Sequence, residues 1–462
     1  MLTLAIAASL FLSTRAPARA GLPEPAALGR AQGETLFIRG ERVYVRPDLV
    51  LEDAAVLVER GVITAVGKDL TPPEGAREIR GKVVCAGFID PWAVFGLNEE
   101  TATDERTSAA SRSSDGLDTY LDPRFRRELL RAGVTALRVQ GGTSSRSAGI
   151  GSLVRVHTGP GGDRGVLLDD CCVAFGIGLT RGGRGVDLFD RFSELDRVVG
   201  ALGDGLAYLQ DKIEYRHDLE EWEKTIAEKE GELEAGFKKA KKDREKEEAE
   251  AKEKGKEFKE KSYKEDKRPK PPKYDEDKEV LARVVNGELP LVVEAHRASE
   301  LRGLLEGTAK FDRLRLIVAG GSEALAVASE LAERRIPVIV WPAPLGAQRA
   351  DELAESELGL AASLAEKGVS VILGSGGAWP PQSRDLPLLA QLAIGHGLDR
   401  QAALEALTVR PARALDVADR LGTLERGKEA DLLVLDGEPL HSTTRVQYAI
   451  SAGEAVITPE NP

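Results

Sequence analysis

From residue 133 to residue 397, short apolar runs alternate with amphipathic ones, and this alternation restricts the fold more than any other feature of the chain. "GVTALRVQ" leads into a Gly/Ser-rich stretch, and "LPLVVEAH" into "RASELRGLLE". "LRLIVAG" precedes "SEALAVASELAERR", "IPVIVWP" precedes a further helical run, and "VSVILGSGG" precedes "LPLLAQLAIGHG". Apolar strands each trailed by a helix predict parallel strands buried on both faces, joined by helical crossovers. The class is therefore α/β. The number of units predicts a TIM-like (β/α)8 barrel over residues 86–419, with its chemistry where the strands end.

The two ends of the chain read differently. Residues 35–85 hold alternating strands, as in "TLFIRGERVYV" and "AAVLVERGVITAVG", with Gly40-Glu41 and Arg60-Gly61 as turns. "KEADLLVLDG" and "VQYAISAGEAVI" continue the same style in residues 420–459. A small β-sandwich-type domain assembled from both ends is expected.

One segment breaks the rhythm. Residues 218–275 are dense in charges of both signs, and Leu219, Trp222, Ile226, Leu233 and Phe237 recur at helical spacing before the apolar face vanishes. The spacing predicts a charged helical insertion within the barrel, packed at its start, held further out by Glu/Lys pairs, and stopped by the prolines of "KRPKPPKYDED". It reads either as a solvated spacer or as a partner-binding coiled coil.

A hydrophobic share of 42% allows a substantial core, while a net charge of -12 argues against nucleic acid or an anionic membrane surface as partner. "MLTLAIAASLFLSTRAPARA", residues 1–20, has the apolar run and small-residue site of a secretory signal, so export to the periplasm or the medium is expected. No later run is long and apolar enough to span a bilayer. Cys85, Cys171 and Cys172 are too few for a disulfide scaffold, and adjacent cysteines bridge poorly, so three buried thiols are expected.

Several motifs together resemble the amidohydrolase superfamily, in its imidazolonepropionase-like and prolidase-like branch. "GVITAVGKDLTPPEGAREIRGKVVCAGFID" is similar to that family's early strands and first barrel strand. "VVEAHRASEL" is similar to its fifth-strand segment, and "ALEALTVRPARALDVADRLGTLERGKEADLLVLDGEPL" to its ending. The resemblance implies metal-assisted hydrolysis of non-peptide C–N bonds, in which a divalent ion activates water and a strand-eight aspartate moves protons.

Carried over position by position, the ligand set is degenerate. The first-strand histidine pair falls at Trp92 and Val94, the fifth-strand histidine at Glu294, the sixth-strand one near Ala319, and the strand-eight aspartate at Gly376. Of the five histidines (157, 217, 296, 396 and 441), His296 and His157 are placed near strand ends. His296 reads either as a ligand or as a polar cap on the following helix. The catalytic candidates are Glu294 and His296, and the ligand-binding candidates are Arg146, Arg384 and Trp379, with Trp92 and Trp341 as aromatic walls.

Three readings follow. The first is a binding or scaffold protein that keeps the fold without its metal, with no cofactor and with a small molecule or a protein as partner. The second is a hydrolase reorganised around Glu294, His296 and an acidic residue such as Asp104 or Glu105, holding zinc or another divalent ion. The third is an interaction protein working through the charged insertion. The family resemblance also implies a homodimer.

Overall fold

The computed structural model describes residues 34–93, 96–97, 108–118, 123–141, 147–158, 165–177, 188–254, 267–341, 358–376 and 380–460. Residues 1–20, where a secretory signal is expected, and Val94, Asp104, Glu105, Arg146 and Trp379 lie outside the described residues.

Strands β1 (Leu36–Arg46), β2 (Leu49–Glu59), β3 (Val62–Gly67) and β4 (Arg77–Ala86) come from the N-terminal end. They join β13 (Leu432–Leu435), β14 (Val446–Ser451) and β15 (Glu454–Ile457) in one seven-stranded sheet, ordered β15-β14-β13-β4-β1-β2-β3. The seam between the two ends is the antiparallel pair β4–β13, where Val84 faces Val434. Ile38, Val56, Ile79, Leu432 and Ile450 bury one face of this sheet in a common cluster.

The second sheet runs in sequence order through eight strands. They are β5 (Phe88–Ala93), β6 (Val134–Val139), β7 (Ser147–Arg155), β8 (Val166–Gly176), β9 (Leu291–Ala295), β10 (Leu316–Gly320), β11 (Val338–Val340) and β12 (Val371–Leu373). Each sends one apolar residue into a shared interior: Ile89, Ala136, Leu153, Ala174, Val292, Ile317, Ile339 and Ile372. Filled layers of this kind make a barrel interior a packed core and not a pore. The α/β barrel with a second sheet is thus present as expected.

One strand departs from the (β/α)8 plan. β7 runs antiparallel to both β6 and β8, so β6-β7-β8 is a meander. The local sequence explains it: the runs on either side of residues 159–164 ("PGGDR" within them) are both β-rich, and nothing helical stands between them. A consequence is that the end of β7 points to the opposite face from the other strand ends. His157 therefore meets Glu454 of β15, 3.2 Å away, and not the barrel mouth where the sequence placed it.

The insertion is a single helix, Leu188–Lys254, beginning well before the charged segment. Its first turns bury Leu195, Val198, Leu202 and Tyr208. The fit is close: a Cβ on Gly205 would lie 2.7 Å from Leu281, and one on Gly303 2.4 Å from Leu195. From Asp218 onward the described side chains are exposed or half-buried, Trp222 being sheltered by the Arg268 guanidinium at 5.9 Å. The packed part thus lies upstream of where the apolar spacing located it. No described helix is long and apolar enough to cross a membrane.

Candidate functional site in the barrel lumen

The residues at the carboxyl ends of the parallel strands form the site. Trp92 closes β5, Arg138 and Gln140 stand at the end of β6, and Cys172 lies on β8. Glu294 and His296 end β9, Ala319 and Gly320 end β10, and Trp341 follows β11. The two tryptophan rings lie 5.6 Å apart, tilted by 40°, and both are buried. The Arg138 guanidinium, itself 0% exposed, sits 4.8 Å over the Trp92 ring. The lumen holds an aromatic pair and an organic cation.

Arg138 donates from Nη1 to Cys172 Sγ at 3.2 Å and from Nη2 to Gln140 Oε1, while its Nε finds no acceptor. A buried guanidinium needs a counter-charge. A hydrogen bond from the Cys171 thiol at 3.7 Å and the adjacent Arg138 charge draw the Cys172 thiol down to about 6, against the burial that pushes it up. Cys171 moves the other way, raised by burial and by its neighbour's charge. All three cysteines are free and buried, as expected. The Arg138–Cys172 contact escaped the sequence reading, although a lone arginine inside the apolar run "VTALRV" is a legible sign of a buried charge.

His296 is 2% exposed. Its Nδ1 is 2.8 Å from Ser322 Oγ, its Nε2 is 3.6 Å from Glu294 Oε1, and its ring meets Trp341 edge-on at 5.9 Å. It does not cap the next helix by its ring. Glu300 Oε2 accepts from the backbone N–H groups of His296 and Arg297, and Glu323 accepts from Ala298 N. Gly320 makes room for the imidazole, since a Cβ there would be 2.5 Å from His296 Cε1.

Gly376, where the catalytic aspartate would stand, has φ +81°, and a Cβ on it would be 3.2 Å from Trp341 Cγ. Both the backbone and the space disfavour a side chain there. Arg384 is half-exposed and faces Glu128 at 3.1 Å, so it is already paired outside the lumen. The other histidines are scattered: His217 on the exposed helix, His396 at a helix end, and His441 beside Thr443.

A second buried acid was also missed. Asp90 of β5 accepts from Trp92 N and Ser375 N at 3.1 Å each, and from Ser383 Oγ at 2.6 Å. Ser375 Oγ donates to Trp92 O at 3.0 Å. These bonds clasp β5 to the end of β12 and bring the sheet's two edges together. Burial raises the Asp90 carboxyl, and its hydrogen bonds from Ser375, Ser383 and Trp92 oppose the shift.

Comparison with solved structures places the whole arrangement. An amidohydrolase from Thermotoga maritima MSB8 superposes with a TM-score of 0.67 at 22% identity, covering 92% of this chain and 100% of that one. This chain shares the fold of that amidohydrolase. The amidohydrolase family model matches residues 316–457 of this amidohydrolase-fold chain. A prolidase-type structure from Bifidobacterium longum follows at a TM-score of 0.52 and 15% identity, covering 93% of this chain and 96% of that one. In sequence, a 5-methylthioadenosine/S-adenosylhomocysteine deaminase of Teredinibacter turnerae is 34% identical over 95 residues, 18% of this chain. The match spans only 22% of that curated relative's length.

The superfamily's metal centre does not fit these residues. A hydrolytic zinc site wants three protein ligands around an open position. Trp92, Ala319 and Gly376 supply no donor, and no group of three His, Cys, Asp or Glu side chains among the described residues could hold an ion.

Proposed function

We propose that this chain is an exported, non-catalytic binding or scaffold protein built on an amidohydrolase fold. One observation carries the reading: the lumen is packed by the Trp92–Trp341 pair and the Arg138 guanidinium, with Gly376 set where the proton-transferring aspartate would have to stand. Function resides in the site and not in the fold that carries it. Trp92 fills volume that an ion and its water would need, and Arg138 supplies a buried positive charge. Glu294 and His296 amount to one carboxylate and one imidazole, which do not make a hydrolytic centre. The apolar run and small-residue site of residues 1–20 support export.

The test is metal content by elemental mass spectrometry, on protein purified after growth with zinc, manganese and iron supplied. The expected content is far below one ion per chain, with no turnover of amide or dipeptide substrates. Close to one tightly held ion per chain would overturn the proposal and make Glu294 and His296 the first residues to replace.

A further inference from the structure

A cleft of about 620 Å³ opens at the amino-terminal ends of β9 to β12, on the face of the barrel opposite the lumen mouth. Its size lies in the range that holds small ligands. Six arginines line it: Arg46, Arg315, Arg334, Arg335, Arg410 and Arg413. This concentration of guanidinium groups stands in a chain of net charge -12.

Four of the six are already engaged. Arg46 Nε donates to Asp48 at 3.1 Å, Arg315 forms a two-pronged pair with Asp416, and Arg410 donates to Glu405 at 2.8 Å. Arg334 is held by the Leu305 carbonyl at 2.7 Å and by Glu330 at 3.2 Å. The side chains of Arg335 and Arg413 have no hydrogen-bonding or ion-pairing partner among the described residues. Two guanidinium charges are therefore left over after the carboxylates of the cleft are spent.

Arg335 is also held in an unusual backbone state. Its φ is +54°, at the turn that ends the helix Ala328–Glu333, where Ile336 N donates to Leu331 O at 2.8 Å. Glycine is the usual residue at such a position. Here a long cation stands instead, with Pro337 directing the chain straight into β11. Pro290, Pro337, Ile336 and Val409 add an apolar wall. We infer that this cleft is a binding site for a soluble phosphomonoester, its dianionic head on Arg335 and Arg413 and its apolar body against the proline wall. Guanidinium groups suit this ligand because their N–H fork matches the oxygens of phosphate.

The experiment is calorimetric titration of the full-length chain with phenyl phosphate, inorganic phosphate and uncharged benzyl alcohol. Phenyl phosphate is expected to bind more tightly than inorganic phosphate, with benzyl alcohol silent and affinity falling as salt rises. The double variant Arg335→Ala/Arg413→Ala should bind roughly tenfold or more weakly, as expected for the loss of charge-assisted hydrogen bonds. Arg335→Lys/Arg413→Lys should retain part of the affinity. Both positions are exposed, and unchanged thermal unfolding of the variants shows that the fold is intact. Equal affinity in the alanine variant would overturn the inference. So would sedimentation with phosphatidic acid vesicles in the absence of phenyl phosphate binding, which would make the site one for a lipid surface.

Discussion

At the scale of single residues, the lumen holds a buried positive charge. The Arg138 guanidinium stands between Trp92 and Cys172. An organic cation cannot lower the pKa of a bound water as a metal does. It can hold a thiolate. A Cys172 pKa of about 6 lies below the ordinary thiol value of about 8.5. The sign follows: this group's contribution to stability is complete above about 8.5 and is lost as the pH falls through about 6. Ultraviolet thiolate absorbance should therefore titrate near that lower value in the folded protein. Arg138→Met should move the transition upward, whereas Arg138→Lys should hold much of it; a titration indifferent to Arg138 would refute the pairing.

At the scale of elements, the barrel is closed by side chains at one seam. The edges β5 and β12 are joined through Asp90, which takes donors from Trp92, Ser375 and Ser383. A buried carboxylate with several donors keeps its charge only while those donors stay in place. Ser383→Ala removes the 2.6 Å bond and should destabilise the protein by about 1.5–3 kcal/mol in urea unfolding, the range for hydrogen bonds to charged groups. Faster amide exchange at Ser375 and its neighbours should accompany it. A loss of stability without faster exchange there would mean that the clasp is not what holds the seam.

At the scale of the whole molecule, a buried ion network joins barrel and second sheet. Arg155 of β7 donates from Nη2 to Asp431 at 2.8 Å, and Nε reaches both carboxylate oxygens at 3.2 Å. Glu429 also pairs with Arg155 and accepts from Arg420 at 2.5 Å. Asp431 further takes Ser451 Oγ at 2.8 Å, so β7 of the barrel and β14 of the second sheet both bond to it. Breaking one side of a buried pair leaves the other charge uncompensated, at a cost of about 3–5 kcal/mol. Arg155→Met should show that loss in denaturant unfolding. Its transition should also broaden as the two sheets cease to unfold together, and a sharp transition at the native midpoint would contradict this role.

Much of this was legible in the residues alone. Apolar periodicity sets which segments can be strands and which helices, because burial rewards a repeat of two or of 3.6 wherever it occurs. Carried over from the family resemblance, the ligand positions at Trp92, Ala319 and Gly376 hold side chains without a donor for a metal, and no fold can supply a donor atom the sequence lacks. What the tertiary structure alone decided was direction and convergence. The reversed β7 follows from which strand edges pair, and it sends His157 away from the lumen. The meeting of Trp92, Arg138, Cys172, His296 and Trp341 depends on closing eight strands into one ring, because side chains remote in sequence share a lumen only after that closure.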